Sequence, residues 1–252
     1  MCKIITITGQ KGGSGKSTVA VNLSACLALF EKKTLLIDCD PQASSTSWSG
    51  IKDSASKYSL PDVLAAKCSI EQAVQPTQLN YLEVIPSEFS LMIWAAKLSA
   101  MPENQKILKL LLDEIREAYE FIIIDSPSSY HFLSLAALTA SQSLIITLSP
   151  DAEPEKEFSL MARAMKYIRN NHQIKLTIAR IIGNRFDSRD HMINAWESDF
   201  SYRLKDLSFK LTIPDDRTID QARKNGMPVV LHDFKSPSAR AYLSVARELT
   251  AL

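Results

Sequence analysis

The chain has 252 residues, of which 46% are apolar and 23% are charged, and these proportions are ordinary for a globular protein. A net charge of +1 excludes a general electrostatic attraction to nucleic acid, so any DNA binding has to come from a local basic surface. The four cysteines, at positions 2, 26, 39 and 68, form no C-x-x-C pair, which argues against a metal centre or a disulfide framework.

The first predicted element is a strand at residues 3–8, and a glycine-rich segment follows it. Residues 19–30 then show the apolar spacing of a helix. Glycines allow a tight loop whose amide groups point at an anion, and the helix adds the positive end of its dipole. The pattern predicts a phosphate-binding loop in which Lys16 contacts the β and γ phosphates and Ser17 holds Mg²⁺. A glycine-rich turn with a solvated lysine is the alternative. The general motif G-x-x-x-x-G-K-[ST] also has a glycine where this chain has Gln10.

The second predicted strand, at residues 33–38, leads into two acids, Asp38 and Asp40. Side chains at alternate positions of an extended chain point the same way, so we expect both carboxylates to face one site. Two solvated acids at the end of a strand are the alternative. A third strand is predicted at residues 81–86.

The fourth predicted strand, at residues 120–125, is a run of apolar residues that ends in Asp125. Such a run indicates a central parallel strand, buried on both faces, that delivers an acid at its carboxyl end. The remaining strands are predicted at 143–149 and 176–182, and the most regular helices at 104–119 and 154–171. Alternating strands and helices predict one α/β domain over residues 1–252, with a doubly wound, mostly parallel sheet and helices on both faces.

Asn184 follows the last of these strands. Its side chain carries a donor and an acceptor, which suits the edge of a purine, but asparagine is equally common in turns that follow strands. The segment 219–252 shows helical spacing and is most simply a packing helix.

Residues 10–18, QKGGSGKST, resemble the deviant Walker A motif of the ParA/Soj partition ATPases, in which a lysine precedes the two glycines. The resemblance extends to a D-x-D-P-Q element at 38–42 and to a Walker B strand that ends at Asp125, so it covers most of the chain. Residues 44–50 are similar to the small ParF-like members of the ParA/MinD superfamily. The resemblance implies a P-loop NTPase that hydrolyses ATP with Mg²⁺ as cofactor.

The resemblance also implies roles for individual residues. Lys11 would reach across an ATP-sandwich homodimer to the phosphates of the other subunit, although a solvated lysine is the alternative. Asp40 would orient the attacking water, whereas Asp38 and Asp125 would support the metal together with Ser17. The implied nucleotide-binding residues are Gly12, Gly13, Ser14, Gly15, Lys16, Ser17 and Thr18 in the loop, with Asn184, Pro214 and Asp215 near the base. Relatives usually have two prolines after the Walker B strand, whereas this chain has Pro127 and Ser128.

The implied work is DNA segregation or cargo positioning, with nonspecific DNA binding and a ParB-like adaptor that stimulates hydrolysis. The candidate DNA-contacting cations are Arg185, Arg189, Arg203, Lys205, Lys210, Arg217, Arg223, Lys224 and Lys235. For any one of them a solvated surface position is an equally good interpretation.

Two other functions are weighed. A membrane-recruited switch like MinD would finish in a cationic amphipathic tail, but here only Arg240 and Arg247 supply charge and Glu248 opposes them. An iron–sulfur carrier of the same superfamily is disfavoured because paired cysteines are lacking. No apolar run approaches the ~20 residues of a membrane span. Because the first residues lead directly into a core strand, we expect no signal peptide. Without a membrane span or a cationic tail, we expect no membrane partner and a cytoplasmic protein, nucleoid-associated if it binds DNA.

Overall fold

The computed structural model describes residues 2–51, 57–101, 104–128, 131–186 and 211–251. Within these ranges the strands are β1 (Lys3–Thr8), β2 (Thr34–Asp38), β3 (Gln75–Pro76), β4 (Leu82–Ile85), β5 (Phe121–Asp125), β6 (Ser143–Leu148), β7 (Thr177–Phe186) and β8 (Leu211–Pro214). The helices are α1 (Lys16–Leu29), α2 (Ser44–Trp48), α3 (Leu60–Leu64), α4 (Ile70–Ala73), α5 (Leu91–Ser99), α6 (Ile107–Ile115), α7 (Phe132–Ala140), α8 (Pro154–His172), α9 (Arg217–Lys224), α10 (Val229–His232) and α11 (Pro237–Thr250). Short 3₁₀ turns flank α6 at Asn104–Lys106 and Arg116–Ala118.

All of these strands belong to one sheet, with the order β3-β4-β2-β5-β1-β6-β7-β8. Every pair is parallel except β3 with β4, which is antiparallel. The chain winds outward from β1 in both directions, so the loop after β1 lies where the winding reverses. Open α/β sheets bind ligands at this point, outside the carboxyl ends of the strands. The predicted α/β, doubly wound, mostly parallel sheet is therefore confirmed.

Helices cover both faces because the central strands are apolar on both sides. Ile5 and Ile123 face one core cluster, which includes residues of α1 and α11. Their neighbours Ile4 and Ile122 face the opposite cluster, which includes residues of α3 to α7. A third cluster joins α8 to β6 and β7. This packing holds the strand ends, and therefore the loops that follow them, in fixed relative positions.

The six predicted strands are all present, and two more were missed. The missed β3 is a two-residue edge strand that contains Pro76, a residue that sheets tolerate mainly at their edges. The missed β8 is a short strand that ends at Pro214. Helix α1 begins at Lys16, three residues earlier than predicted, because Gly15 adopts a left-handed conformation and starts the helix directly after the glycine loop. Of the helices in the described ranges, none has the length and apolar character that crossing a membrane requires.

Candidate functional site

A cavity of about 610 Å³ opens at the carboxyl ends of β1, β2, β7 and β8. This volume is within the usual range for small-molecule sites. The predicted nucleotide residues that line it are Gly13, Gly15, Lys16, Ser17, Thr18, Asn184 and Asp215. Asp40 lines it as well, whereas Gly12, Ser14 and Pro214 do not. The sheet therefore brings most of the predicted residues to one concave surface.

At two positions of the loop, neighbouring atoms are so close that only glycine fits. A Cβ atom at Gly9 would lie 2.7 Å from the carbonyl oxygen of Thr147, on the neighbouring strand β6. Gly15 has a φ of +89°, and a Cβ atom there would lie 1.6 Å from Nδ2 of Asn184. The loop is thus pressed against β6 on one side and against β7 on the other.

Asn184 is buried, and within the described residues only the nitrogen of its side-chain amide forms hydrogen bonds. Its Nδ2 donates hydrogen bonds of 3.2 Å to the carbonyl oxygens of Ser14 and Gly15. Its Oδ1 is buried and accepts no hydrogen bond from the described part of the chain. Because a buried acceptor without a partner is costly, this oxygen is suited to accept a hydrogen bond from a ligand in the cavity.

The amino end of α1 faces the cavity without a side-chain cap, and its first turn contains no acid. Its amide groups and dipole are therefore available to an anion. Lys16, on the first turn, is only 6% exposed, and its Nζ donates to Oγ of Ser128 at 2.7 Å. Burial lowers the pKa of Lys16, an effect opposed by the nearby charges of Asp125 and Asp40. A lysine buried beside a helix amino terminus is the expected arrangement for phosphate binding.

The two acids that end β2 and β5 are neighbours across the sheet. Asp38 and Asp125 are partners in the register of these strands, and both are fully buried. Burial is the main cause that raises the pKa of each carboxyl, and the charge of Asp125 raises the pKa of Asp38 further. Asp38 is held by the protein itself: its Oδ2 accepts from the amide and hydroxyl of Thr46 at 2.8 Å, and its Oδ1 accepts from the amide of Asp40 at 3.0 Å. The structure therefore places Asp38 behind the cavity wall, although it had been expected to share the orientation of Asp40.

Asp125 differs from Asp38 because one of its carboxylate oxygens accepts no hydrogen bond from the described residues. The hydroxyl of Ser45 donates to Oδ2, while Oδ1 is buried and has no hydrogen-bond partner among the residues described. Hydroxyl groups of Ser45 and Ser17 and the charge of Lys16 lower the pKa of this carboxyl and partly offset burial. Mg²⁺ in nucleotide sites is held by one or two carboxylates and retains several waters. The free Oδ1, with Ser17 at the cavity wall, fits such an ion.

Lys11 does not line the cavity. Its Nζ donates to the carbonyl oxygen of Asp151 at 2.8 Å and forms an ion pair with the Asp151 carboxylate. Hydrogen bonds from Lys11 and Ser149 lower the pKa of Asp151 to about 2. Both side chains of the pair are substantially exposed, so the ammonium group lies on the surface over the loop between β6 and α8.

Several partners of the site were not identified from the sequence. Ser45 and Thr46 lie in a hydroxyl-rich run that begins four residues after Asp40, and that run was the available signal. Glu157, buried on α8, accepts a hydrogen bond of 2.9 Å from the amide of Gln10. These residues are 147 positions apart, so no local pattern could join them. Ser128 had been noted only because it stands in place of a second proline.

Part of the candidate DNA surface can be placed. Arg189, Arg203, Lys205 and Lys210 lie outside the described residues. The other predicted cations, Arg185, Arg217, Arg223, Lys224 and Lys235, are all exposed. Three of them belong to α9, and the guanidinium of Arg185 lies 3.7 Å from the carboxylate of Asp215.

The chain is similar to known proteins over its whole length. A family profile described as AAA domain matches residues 2–178. The sporulation initiation inhibitor protein Soj of Bacillus subtilis (strain 168) is 32% identical over 252 residues, which cover 100% of this chain and 99% of that protein. The chromosome-partitioning ATPase Soj of Treponema pallidum (strain Nichols) is 31% identical, and the match covers 100% of this chain and 98% of that protein.

Among solved structures, the septum site-determining protein MinD of Pyrococcus horikoshii OT3, complexed with Mg-ADP, is similar with a TM-score of 0.79 and 27% identity. That match covers 99% of this chain and 96% of the MinD chain. The chain therefore belongs to the AAA-domain family that its profile match defines, as an ATPase of the ParA/MinD superfamily.

Proposed function

We propose that this ATPase binds Mg·ATP in the cavity and couples its hydrolysis to DNA segregation or cargo positioning. The observation that carries the proposal is the convergence of an uncapped helix terminus, a buried lysine and a carboxylate with one free oxygen. A bound Mg·ATP supplies the γ-phosphoryl group that is transferred to water. In phosphoryl transfer, protein side chains act mainly by positioning and by stabilising charge.

The chain's own residues divide this work. Lys16 and the amides of the glycine loop hold the phosphates, while Ser17 and Asp125 hold the metal. Asp38 supports Ser17 and Asp125 indirectly, because its hydrogen bonds hold the loop between β2 and α2 in place. Asp40, at the cavity wall, orients the attacking water, and the loop residues Gly12, Ser14 and Thr18 shape the cradle.

At the base end, the free Oδ1 of Asn184 accepts a hydrogen bond from the amino group of adenine. Pro214, the last residue of β8, and Asp215, which follows it, complete this end of the site. These roles agree with the positions of the residues at the cavity or next to it.

We further propose that the protein forms an ATP-sandwich homodimer in which Lys11 reaches the phosphates of the second subunit. For this, Lys11 has to exchange its contact with Asp151 for a contact with phosphate. Exposed ion pairs contribute little net free energy, so the exchange costs little compared with the charge-assisted contacts it gains. The γ-phosphate would thus favour the dimer, and hydrolysis would release it.

The exposed cations Arg217 and Lys224 of α9 support nonspecific DNA binding, and a ParB-like adaptor would stimulate hydrolysis. The test is a mobility shift of labelled duplex DNA at low salt, which we expect with Mg·ATP and not with Mg·ADP. The double variant Arg217→Ala/Lys224→Ala should weaken the shift and its salt dependence, because each lost phosphate contact lowers the salt slope by about one. The double variant Arg163→Ala/Lys166→Ala, which removes two exposed cations from α8, is the matched control.

A MinD-like membrane switch is the second candidate, and the similarity to MinD is the observation that favours it. Against it, α11 already buries its apolar side chains, including Tyr242 and Val245, in the core of the protein. Glu248 on the same helix pairs with Arg180. Pelleting with anionic vesicles in the presence of ATP, without any DNA shift, would favour this candidate over DNA partition.

A further inference from the structure

We propose that Ser45 is a positioning residue that fixes which oxygen of Asp125 faces the metal and thereby links the Asp40 loop to the metal site. The inference rests on the proposed assignment of Asp125 to Mg²⁺. Nothing in the sequence motifs assigns a role to Ser45, which lies on the short helix α2 that follows the Asp40 loop.

The first step is the contact itself. Ser45 is fully buried, and its hydroxyl donates to Oδ2 of Asp125, which lies 80 positions away in the sequence. A carboxylate has two equivalent oxygens, and a donor on one of them removes that equivalence. With Oδ2 occupied by Ser45, Oδ1 has no partner in the described part of the chain and is the oxygen left for a ligand.

The second step is the attachment of α2 to both acids of the sheet. Thr46, the next residue, donates to Asp38 through its amide and its hydroxyl, and its hydroxyl accepts from the amide of Ser87 at 2.9 Å. Consecutive residues of α2 therefore hold two carboxylates that are partners across β2 and β5. Helix α2 cannot shift without disturbing both carboxylates.

The third step concerns Asp40. It lies between β2, which ends at Asp38, and α2, which begins at Ser44. Its amide donates to Oδ1 of Asp38, which fixes the start of the loop between β2 and α2. The end of this loop is fixed by the contacts of α2 with both Asp38 and Asp125. The position of the residue that orients water is thus tied to the carboxylate that holds the metal. Hydrogen-bond partners behind metal-binding groups commonly change metal affinity by about 10- to 100-fold when they are removed.

The same helix provides a matched control. Ser47 is exposed, and its hydroxyl bonds to the carbonyl oxygen of Ala43 at 3.1 Å, within the local turn. Ser45→Ala and Ser47→Ala each delete one hydroxyl from α2, but only the first removes a contact with Asp125. A purely structural effect on α2 would appear in the unfolding temperature measured in EDTA without nucleotide.

The experiment is a titration of Mg²⁺ against the binding of a fluorescent ATP analogue. We expect Ser45→Ala to raise the half-saturating Mg²⁺ concentration by about tenfold and to leave nucleotide affinity in EDTA unchanged. Ser47 also lines the cavity, but its hydroxyl does not contact Asp125, so Ser47→Ala should keep the Mg²⁺ dependence of the wild type. Equal Mg²⁺ dependence for Ser45→Ala and the wild type would overturn the inference. A wild type that binds the analogue without any response to Mg²⁺ would instead contradict the proposed function.

Ser45→Cys keeps nearly the same volume with a weaker donor, so we expect an intermediate shift. If Ser45→Ala does not fold, this variant decides the question. A Cys variant with wild-type Mg²⁺ dependence would then overturn the inference.

Discussion

Lys16 sits where three sources of positive potential meet: its own ammonium group, the amides of the loop and the end of α1. It is nearly buried, and among the described residues only the Ser128 hydroxyl and the carbonyl oxygen of Lys11 accept its hydrogen bonds. A buried cation with few partners gains most from a phosphate group, because charge-assisted hydrogen bonds are about twice as strong as neutral ones.

Lys16→Ala should therefore reduce ATP affinity by about 100-fold or more, since it removes the charged contacts to the β and γ phosphates. Isothermal titration calorimetry with Mg·ATP measures this directly. Ser128→Ala is the control, because it removes the neighbouring hydroxyl and keeps the charge, and we expect only a small effect. ATP affinity that is unchanged in Lys16→Ala would show that the loop does not hold the phosphates.

The buried pair Asp38 and Asp125 predicts a pH dependence of stability. Both pKa values are raised in the folded protein above the unfolded value of about 3.9. The folded state therefore binds more protons in this range, and the free energy of unfolding falls as the pH rises from the acidic range towards neutrality. Each unit of pKa shift is equivalent to about 1.4 kcal/mol.

Urea unfolding in EDTA, without nucleotide, should thus give a higher midpoint near pH 5 than near pH 7.5. Asp125→Asn should remove much of this difference, because it abolishes the charge that acts on Asp38. If the variant kept the full pH dependence of the wild type, other groups would have to be its source.

At the level of elements, helix α11 contains a buried polar group that lowers the free energy of unfolding. Tyr242 is fully buried on this helix, and its hydroxyl finds no partner in the ranges that the structure describes. Burial also raises the pKa of this hydroxyl. An unsatisfied buried hydroxyl costs about 1–3 kcal/mol, whereas the ring contributes to the core between α11 and α1.

Tyr242→Phe should accordingly leave stability unchanged or raise the free energy of unfolding by about 1 kcal/mol. Tyr242→Ala should lower it by about 3–5 kcal/mol, because it opens a cavity. Denaturant unfolding of the two variants tests the pair of values. A Phe variant as destabilised as the Ala variant would mean that the hydroxyl makes a stabilising contact.

The elements also show what a sequence can predict here. The loop at residues 9–18 was recognisable because its glycines, Lys16 and Ser17 are contiguous. Asp38 and Asp40 were expected to point the same way, but that rule holds only while the chain stays extended, and β2 ends at Asp38. The contacts of Ser45 with β5 and of Glu157 with the loop depend on the strand order, which no local pattern contains.

At the scale of the whole molecule, the surface contact between Lys11 and Asp151 ties the glycine loop to the loop before α8. In the proposed dimer, Asp151 competes with phosphate for the same ammonium group.

Asp151→Asn keeps the shape of the side chain and removes its charge. It should therefore increase the fraction of dimer at limiting ATP, as measured by sedimentation velocity. Glu153→Gln, an exposed acid in the same loop, is the control and should not change that fraction. Equal dimer fractions for Asp151→Asn and the wild type would mean that the ion pair does not restrain Lys11.

The central claim is that ATP closes two copies of this chain over their nucleotides, with a cation contributed by each copy to the other. Size-exclusion chromatography with light scattering on Asp40→Ala in Mg·ATP tests it most directly, because slow hydrolysis should trap the closed state. The account predicts a dimer for Asp40→Ala, and a monomer that still binds ATP for Lys11→Ala/Asp40→Ala. A monomer in both cases, with ATP bound, would contradict it.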